Sequence, residues 1–375
     1  MARPAGRQSR LIPVAIFASV QPLVQCALVV MMIILRPTKF RVGDTELYDV
    51  FPVSEDTLVG IGPFTGEYTK TITVLDRRSG MRSKPGVAVK DSHQHTLILL
   101  FKFDGRAFGP ANQRCGLLFS DGQHDAAVEF DCVPVEPARA SMSTLTIESS
   151  DLVLKWVDYH HRTLGIDRFH IYSNSVEHFS AFTEAASASP LRDMITAVLW
   201  DVPYRYPGAS ISGQTTQQNH SIYRFGRDGL IGLFDVDEYI VPNAGNLVDV
   251  MMDTANDFLL MQEYKFSRVP VGAISLQCLM FGCGRGAGGS RMSFLEDMRW
   301  SATEPEPKWI RQKCFVLPPK IKVFSVHMVV DGSVTYCLPP SIARFYHYHF
   351  LGKPQGKCDC DKYCATENTD IARFG

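Results

Sequence analysis

The chain has 375 residues, 45% of them hydrophobic and 21% charged, which supports a sizeable core in one large domain or two smaller ones and excludes a disordered or fibrous protein. Its formal net charge of -1, with acids and bases mixed along the chain, leaves no electrostatic footprint for nucleic acid or for an anionic membrane surface. Partners have to be argued from sites.

From Leu11 to Leu35 the chain runs without a charge and ends in Leu-Val-Val-Met-Met-Ile-Ile-Leu, long enough to cross a hydrocarbon core of about 30 Å as a helix. A cleaved signal peptide is the rival reading, since Arg3, Arg7 and Arg10 form a basic leader, but no clear small-x-small site follows the run. Basic residues flank both ends, at those positions and at Arg36, Lys39 and Arg41, so charge alone leaves the orientation open. The short leading tail, residues 1–10, favours a cytosolic N-terminus and a type II anchor over 11–35. Everything from Pro37 onward then lies in the Golgi or another lumen of the secretory pathway, or outside the cell, where disulfides are permitted. Of the ten cysteines, Cys26 falls in the span and nine remain, an odd number whose pairing the sequence does not give.

Between residues 36 and 140, Thr71 to Leu75, Thr96 to Phe103, Cys115 to Phe119 and Ala126 to Phe130 are short apolar runs parted by turns such as Asp104-Gly105 and Asp121-Gly122. That is the pattern of antiparallel hairpins and predicts a β-rich stem domain. From residue 141 to 350 helices and strands alternate. Leu152, Trp156, Tyr159 and Leu164 recur at helical spacing after Ser149-Ser150-Asp151 and stop at Gly165. Phe169 to Tyr172 reads as a strand, Pro190 to Val198 and Gln214 to Tyr223 as helices, and Leu230 to Phe234 as a buried strand. This order predicts an α/β domain with a mostly parallel central sheet covered on both faces. Residues 351–375 form a Cys-rich tail in which Cys358, Cys360 and Cys364 resemble a metal knuckle by spacing alone; disulfides are the favoured reading.

The apolar run meets Asp235-Val236-Asp237-Glu238 abruptly. In an extended chain residues i and i+2 point the same way, so Asp235 and Asp237 would project together and Val236 would turn to the core. Two carboxylates on one side suit Mg²⁺ or Mn²⁺, at the strand end where open α/β sheets bind ligands. Such an ion would neutralise the diphosphate leaving group of a nucleotide sugar. Haloacid-dehalogenase phosphatases use the same arrangement with the first Asp as nucleophile, though Tyr239 stands where they usually carry Thr or Val. A non-catalytic glycan-binding protein is the third reading.

From about Leu152 to His349 the chain resembles glycosyltransferase family 92. The resemblance rests on Leu154 to His161, Leu164-Gly165-Ile166, Phe169 to Tyr172, Gly213-Gln214, Gln218-Asn219-His220, Phe234 to Tyr239 with Pro242, Lys313 to His327, and Phe345-Tyr346-His347-Tyr348-His349. It departs at Lys155, where the family usually has an acid, and at Ile147 to Ser150. The resemblance implies a GT-A nucleotide-diphospho-sugar fold and inverting transfer, often of galactose, from a UDP-sugar to a glycan acceptor on protein or lipid. It implies Asp235, Asp237 and His327 as metal ligands, with His347 and His349 as competitors for the third place. Tyr172 and Asn174 would lie near the base and ribose, and Gln214 would brace the site. Inversion requires a general base within hydrogen-bond reach of the acceptor hydroxyl. Asp297 or Glu296 is the expected carboxylate, with Glu263 as the alternative. The glycines from Gly282 to Gly289 lack the ending of a phosphate loop and read better as an acceptor lid.

Overall fold

The hairpin-rich part of the sequence folds into antiparallel β-structure, a short Phe40–Val42 and Thr45–Leu47 hairpin beside two larger sheets. In the computed structural model the described residues are 32–64, 71–91, 96–108, 114–132, 135–205, 212–243, 245–256, 270–282, 299–349, 351, 360–368 and 370–371. Strands Asp49–Pro52, Thr57–Pro63, Thr96–Lys102 and Val87–Asp91 form one sheet in that order, and Thr73–Asp76, Arg114–Ser120 and Asp125–Asp131 form another around the central Arg114–Ser120. Leu58, Leu99, Phe101, Leu117, Phe119 and Val128 fill a shared core between them. The opposite face of the first sheet packs Phe51, Val59, Ile61 and Ile98 toward Tyr223 and Val323.

The alternating part builds an eight-stranded sheet. Its order is Ile33–Leu35, Ile195–Leu199, Arg168–Ser173, Ala140–Leu145, Leu230–Leu233, Lys313–Val316, Val271–Leu276 and Val334–Cys337. The first five run parallel, the Lys313–Val316 strand runs against both neighbours, and the last pair is parallel again. Side chains that alternate along each strand feed two cores: Met142, Phe169, Ile171, Leu230 and Phe315 on one face, Tyr172, Ile231, Leu233, Cys314 and Val316 on the other. Helices α1 (Ser150–Leu164), α2 (Val176–Ala188) and α4 (Leu247–Asn256) cover the first face, and α3 (Ser212–Arg224) covers the second.

Helix α1 starts and stops where its sequence says. Ser149 Oγ accepts from Leu152 N, and Gly165 closes the helix in the left-handed region at φ 67°, a conformation that costs glycine nothing. Helix α3 has the opposite logic, being polar in sequence yet buried from Thr215 through Ser221, because it lies between the eight-stranded sheet and the Asp49–Asp91 sheet. Burial of this kind is costly unless most polar groups find partners, and several here do. Gln217 Nε2 donates to Ser143 Oγ at 2.9 Å, Thr216 pairs with Thr96, and Asn219 exchanges two bonds with the Phe324 backbone at 2.8 and 2.9 Å. The sequon Asn219-His220-Ser221 is thus locked inside the fold, since Asn219 is fully buried.

Two expectations are corrected. The apolar run cannot stay helical to Leu35, because Ile33–Leu35 is a strand paired in parallel with Ile195–Leu199. Ile33 and Ile34 are β-branched, and the open edge of the sheet offers them backbone partners. Residues 11–31 lie outside the described residues, and among those described no helix is long and apolar enough to cross a membrane. The second correction is the helix expected from Pro190 to Val198, which is a 3₁₀ turn at Arg192–Met194 followed by the strand Ile195–Leu199. Ile195, Thr196 and Val198 prefer the pleated surface. The helix that does precede it, α2, was not expected; Ser175 caps it by accepting from His178 N, and Phe179, Phe182 and Ala186 form its buried stripe.

Candidate active site

The parallel strands Ala140–Leu145, Arg168–Ser173, Ile195–Leu199 and Leu230–Leu233 all end at one edge of the sheet, the edge where open α/β sheets receive ligands. There the chain leaves Leu233 and turns through Asp235, Val236 and Asp237 into the strand Glu238–Pro242. Glu238 N donates to Asp235 O at 3.0 Å and Asp235 N donates to Glu238 Oε2 at 2.8 Å, closing the turn from both sides. Asp235 and Asp237 are therefore turn residues and not the neighbours of an extended strand, as the apolar run suggested. Val236 is buried as expected, but each carboxylate has its own partners.

Three side chains of α1 hold the strand that follows. Trp156 Nε1 donates to Glu238 O at 2.9 Å and Tyr159 Oη to Ile240 O at 3.0 Å, while Ile240 N donates to His160 Nε2 at 3.2 Å. Because Nε2 accepts, the proton sits on His160 Nδ1 and is donated to Trp156 O at 2.9 Å. Full burial pushes the imidazole down to about 3, against a backbone bond that favours the charged form. The unfolded chain takes up this proton near the ordinary histidine value and the folded chain does not, so the contribution is complete above about pH 6.5 and lost as pH falls toward 3. By pH 3 the loss is about 4 kcal/mol. Denaturant melts between pH 7 and 4 are expected to steepen in this window for the native chain and to flatten for His160→Gln.

Asp235 is clamped. Its Oδ1 accepts from Gln214 Nε2 at 2.9 Å and its Oδ2 from Lys313 Nζ at 2.6 Å. Lys313 also reaches Glu238 Oε2 at 3.1 Å, with only 4% of its side chain exposed. Burial alone would lower the Lys313 ammonium, and the Asp235 and Glu238 carboxylates overcome it and raise it. Burial pushes Glu238 up to about 7, partly offset by Lys313. Gln214 joins the cluster through Asp235, and Tyr204 Oη donates to its Oε1 at 3.1 Å. This link depends on Gly213, whose N donates to Tyr204 O at 2.9 Å. A Cβ there would lie 2.7 Å from Tyr204 Cα and closer still to the Pro203 carbonyl oxygen. Gly213→Ala is expected to shift the start of α3, costing about 1–3 kcal/mol in a thermal melt and releasing Gln214 from Asp235.

Asp237 belongs to a different group. Its Oδ2 lies 3.6 Å from His347 Nε2, and Glu238 Oε1 lies 3.8 Å from His347 Nδ1. His347 comes from the strand Ala343–His347, where it stands directly across from Glu238. Burial would lower its pKa, but the Asp237 and Glu238 carboxylates and the Cys278 thiol hold it well above the ordinary value. Tyr348 points into the core, edge-on to Tyr239 and tilted against Phe281, and His349 lies with His347 at a ring distance of 5.3 Å. One ligand atom from each of Asp237, His347 and His349 falls within 4.8 Å of the others. A carboxylate with two imidazoles is a mixed O/N donor set that suits a divalent transition ion better than Mg²⁺, which prefers oxygen alone. His347 Nδ1 is also a buried nitrogen with no hydrogen-bond partner among the described residues. The group fits an ion by donor chemistry and by its demand for positive charge.

The remaining expected residues fall elsewhere. His327 does not join the Asp237 group: its Nδ1 bonds to Gln312 O at 2.6 Å, and burial and Lys313 lower its pKa. Tyr172 is fully buried in a chain with His220 Nδ1 at 2.8 Å, whose Nε2 pairs with Asp49 at 2.9 Å, so its ring packs the core and offers no face to a ligand. Asn174 is half-buried just past the Arg168–Ser173 strand, on the ligand-facing edge. Glu263, Glu296, Asp297 and the glycines 283–289 lie outside the described residues. Sequence reasoning missed Lys313 and the inward role of Glu238. Lysine opening the buried strand Lys313–Val316 was the available signal, since such a lysine needs acids beside it.

A family model described as glycosyltransferase family 92 matches residues 139–371, from the Ala140–Leu145 strand through the aspartate turn to both histidines. No curated protein matches the chain.

Proposed function

The chain belongs to glycosyltransferase family 92 and is a glycosyltransferase, and from that premise we propose that it moves a sugar from a UDP-sugar to a glycan acceptor with inversion, using a divalent cation. The observation that carries the metal dependence is the Asp237, His347 and His349 group at the ligand-facing edge of the sheet. A mixed α/β domain with mostly parallel strands fits a GT-A-like domain. When bound, a Mn²⁺ ion would supply positive charge for the departing diphosphate. Asp237, His347 and His349 would hold it.

The protein's own residues do the rest. Lys313 and Gln214 fix the Asp235 carboxylate, which keeps the turn in one conformation and places Asp237. The α1 side chains fix the strand behind it. In the transfer the acceptor oxygen bonds to the anomeric carbon as the bond to the diphosphate oxygen breaks, and the hydroxyl proton passes to a carboxylate, for which Asp297 and Glu296 are the candidates. Galactose is the first donor sugar to test. The uncharged run ahead of residue 32 supports a single anchor with the enzyme facing a secretory lumen, the Golgi being the first compartment to examine.

The test is UDP release by the full chain in detergent, from a panel of UDP-sugars, with and without Mn²⁺. Metal-dependent release from one or a few donors is expected. Phosphate release from simple esters without any sugar dependence, or silence on every donor, would overturn the reading.

A further inference from the structure

Outside the site, one cluster of nucleophilic side chains is assembled by long-range pairing. Strands Arg114–Ser120 and Asp125–Asp131 are antiparallel with Cys115 opposite Phe130 and Leu117 opposite Val128. Successive same-face residues alternate along a strand, so Val128, Phe130 and Cys132 line one face with Cys115, Leu117 and Phe119. Leu117, Phe119 and Val128 are core, and Cys115 and Phe130 pack against them. Cys132, one residue past the end of its strand, is thus the diagonal neighbour of Cys115 on the same face of the ladder. Each thiol is the largest influence on the acidity of the other, as expected of two sulfurs side by side, and both are half-buried.

We propose that Cys115 and Cys132 are joined by a disulfide that staples the base of this hairpin where the chain leaves it for the Ala140–Leu145 strand. The chemistry needs an oxidant of the disulfide class, such as an oxidised exchange catalyst or oxidised glutathione, which oxidising compartments supply. The Cys115 thiolate attacks that disulfide, forming a mixed disulfide and expelling one thiolate. Cys132 gives up its proton, attacks the Cys115 sulfur and expels the second. Two thiols are oxidised, with loss of two protons and two electrons, and the oxidant is reduced to two thiols. Either thiol can make the first attack, because each shifts the acidity of the other. The staple closes a short loop and shrinks the unfolded ensemble. It is independent of the catalytic reading.

No Lys or Arg lies between Cys115 and Cys132, so trypsin cutting after Arg114 and Arg139 leaves both in one peptide. Full chain made in a secretory host would be denatured without reductant, blocked with N-ethylmaleimide, digested and weighed. The expected peptide carries no adduct, weighs two hydrogens less than the dithiol, and gains two adducts only after reduction. Two adducts before reduction, or either cysteine linked to a different peptide, would overturn the staple. In Cys132→Ser, Cys115 is expected to become labelled; if that variant does not fold, the native peptide decides alone.

Discussion

Asp237→Ala is expected to lower metal-dependent transfer by at least ~100-fold while leaving the melting temperature close to that of the native chain. Asp237 is the carboxylate of the candidate ion group, and its Oδ2 faces His347. Its backbone carbonyl accepts from Tyr348 N at 2.8 Å, and alanine keeps that bond. What alanine removes is the oxygen donor and the carboxylate that offsets burial of the His347 imidazole. Activity against Mn²⁺ concentration, measured beside a thermal melt, separates this from unfolding. A variant that keeps more than a tenth of native activity at saturating metal would count against the assignment.

Lys313→Met is expected to act in the opposite way, through the fold. It strands Glu238, whose side chain is 1% exposed, and leaves Asp235 without its short contact. Removing one partner of a buried ion pair costs roughly 3–5 kcal/mol, because the uncompensated charge stays behind. Urea melts are the measurement, and the double variant Lys313→Met with Glu238→Gln is the control. Taking away the buried acid as well is expected to restore a large part of the loss, giving a clear coupling in the mutant cycle. Two additive losses would mean that Lys313 and Glu238 do not depend on each other.

Within the α/β frame the strands at Phe169 to Tyr172 and Leu230 to Phe234 were legible as short apolar runs that end in turns, and α1 carries both its cap and its closing glycine. Helix α2 was not, since only Phe179, Phe182 and Ala186 mark its buried side among Ser, Thr, Glu and Ala. Helix α3 was legible as a helix, but its burial depends on Thr96, Ser143, Asp49 and Phe324, all distant in sequence. The acidic cluster was found through the apolar run ahead of it. Its turn was not, because Val236 is buried in a strand and in a turn alike. The same-side pairing assigned to Asp235 and Asp237 is found instead at His347 and His349, brought to Asp237 by the register of Glu238 against His347. A register between residues more than a hundred positions apart leaves no local trace, which is why His327, bonded to Gln312, was an equally good choice from sequence.

The central claim, that Asp237, His347 and His349 hold the ion of a glycosyltransferase, is tested most directly by electron paramagnetic resonance of the full chain titrated with Mn²⁺. One bound ion per chain with imidazole nitrogen couplings, weakened in His349→Ala and absent in Asp237→Ala, is the predicted result. A bound ion whose spectrum shows no nitrogen, or one unchanged by loss of Asp237, would contradict it.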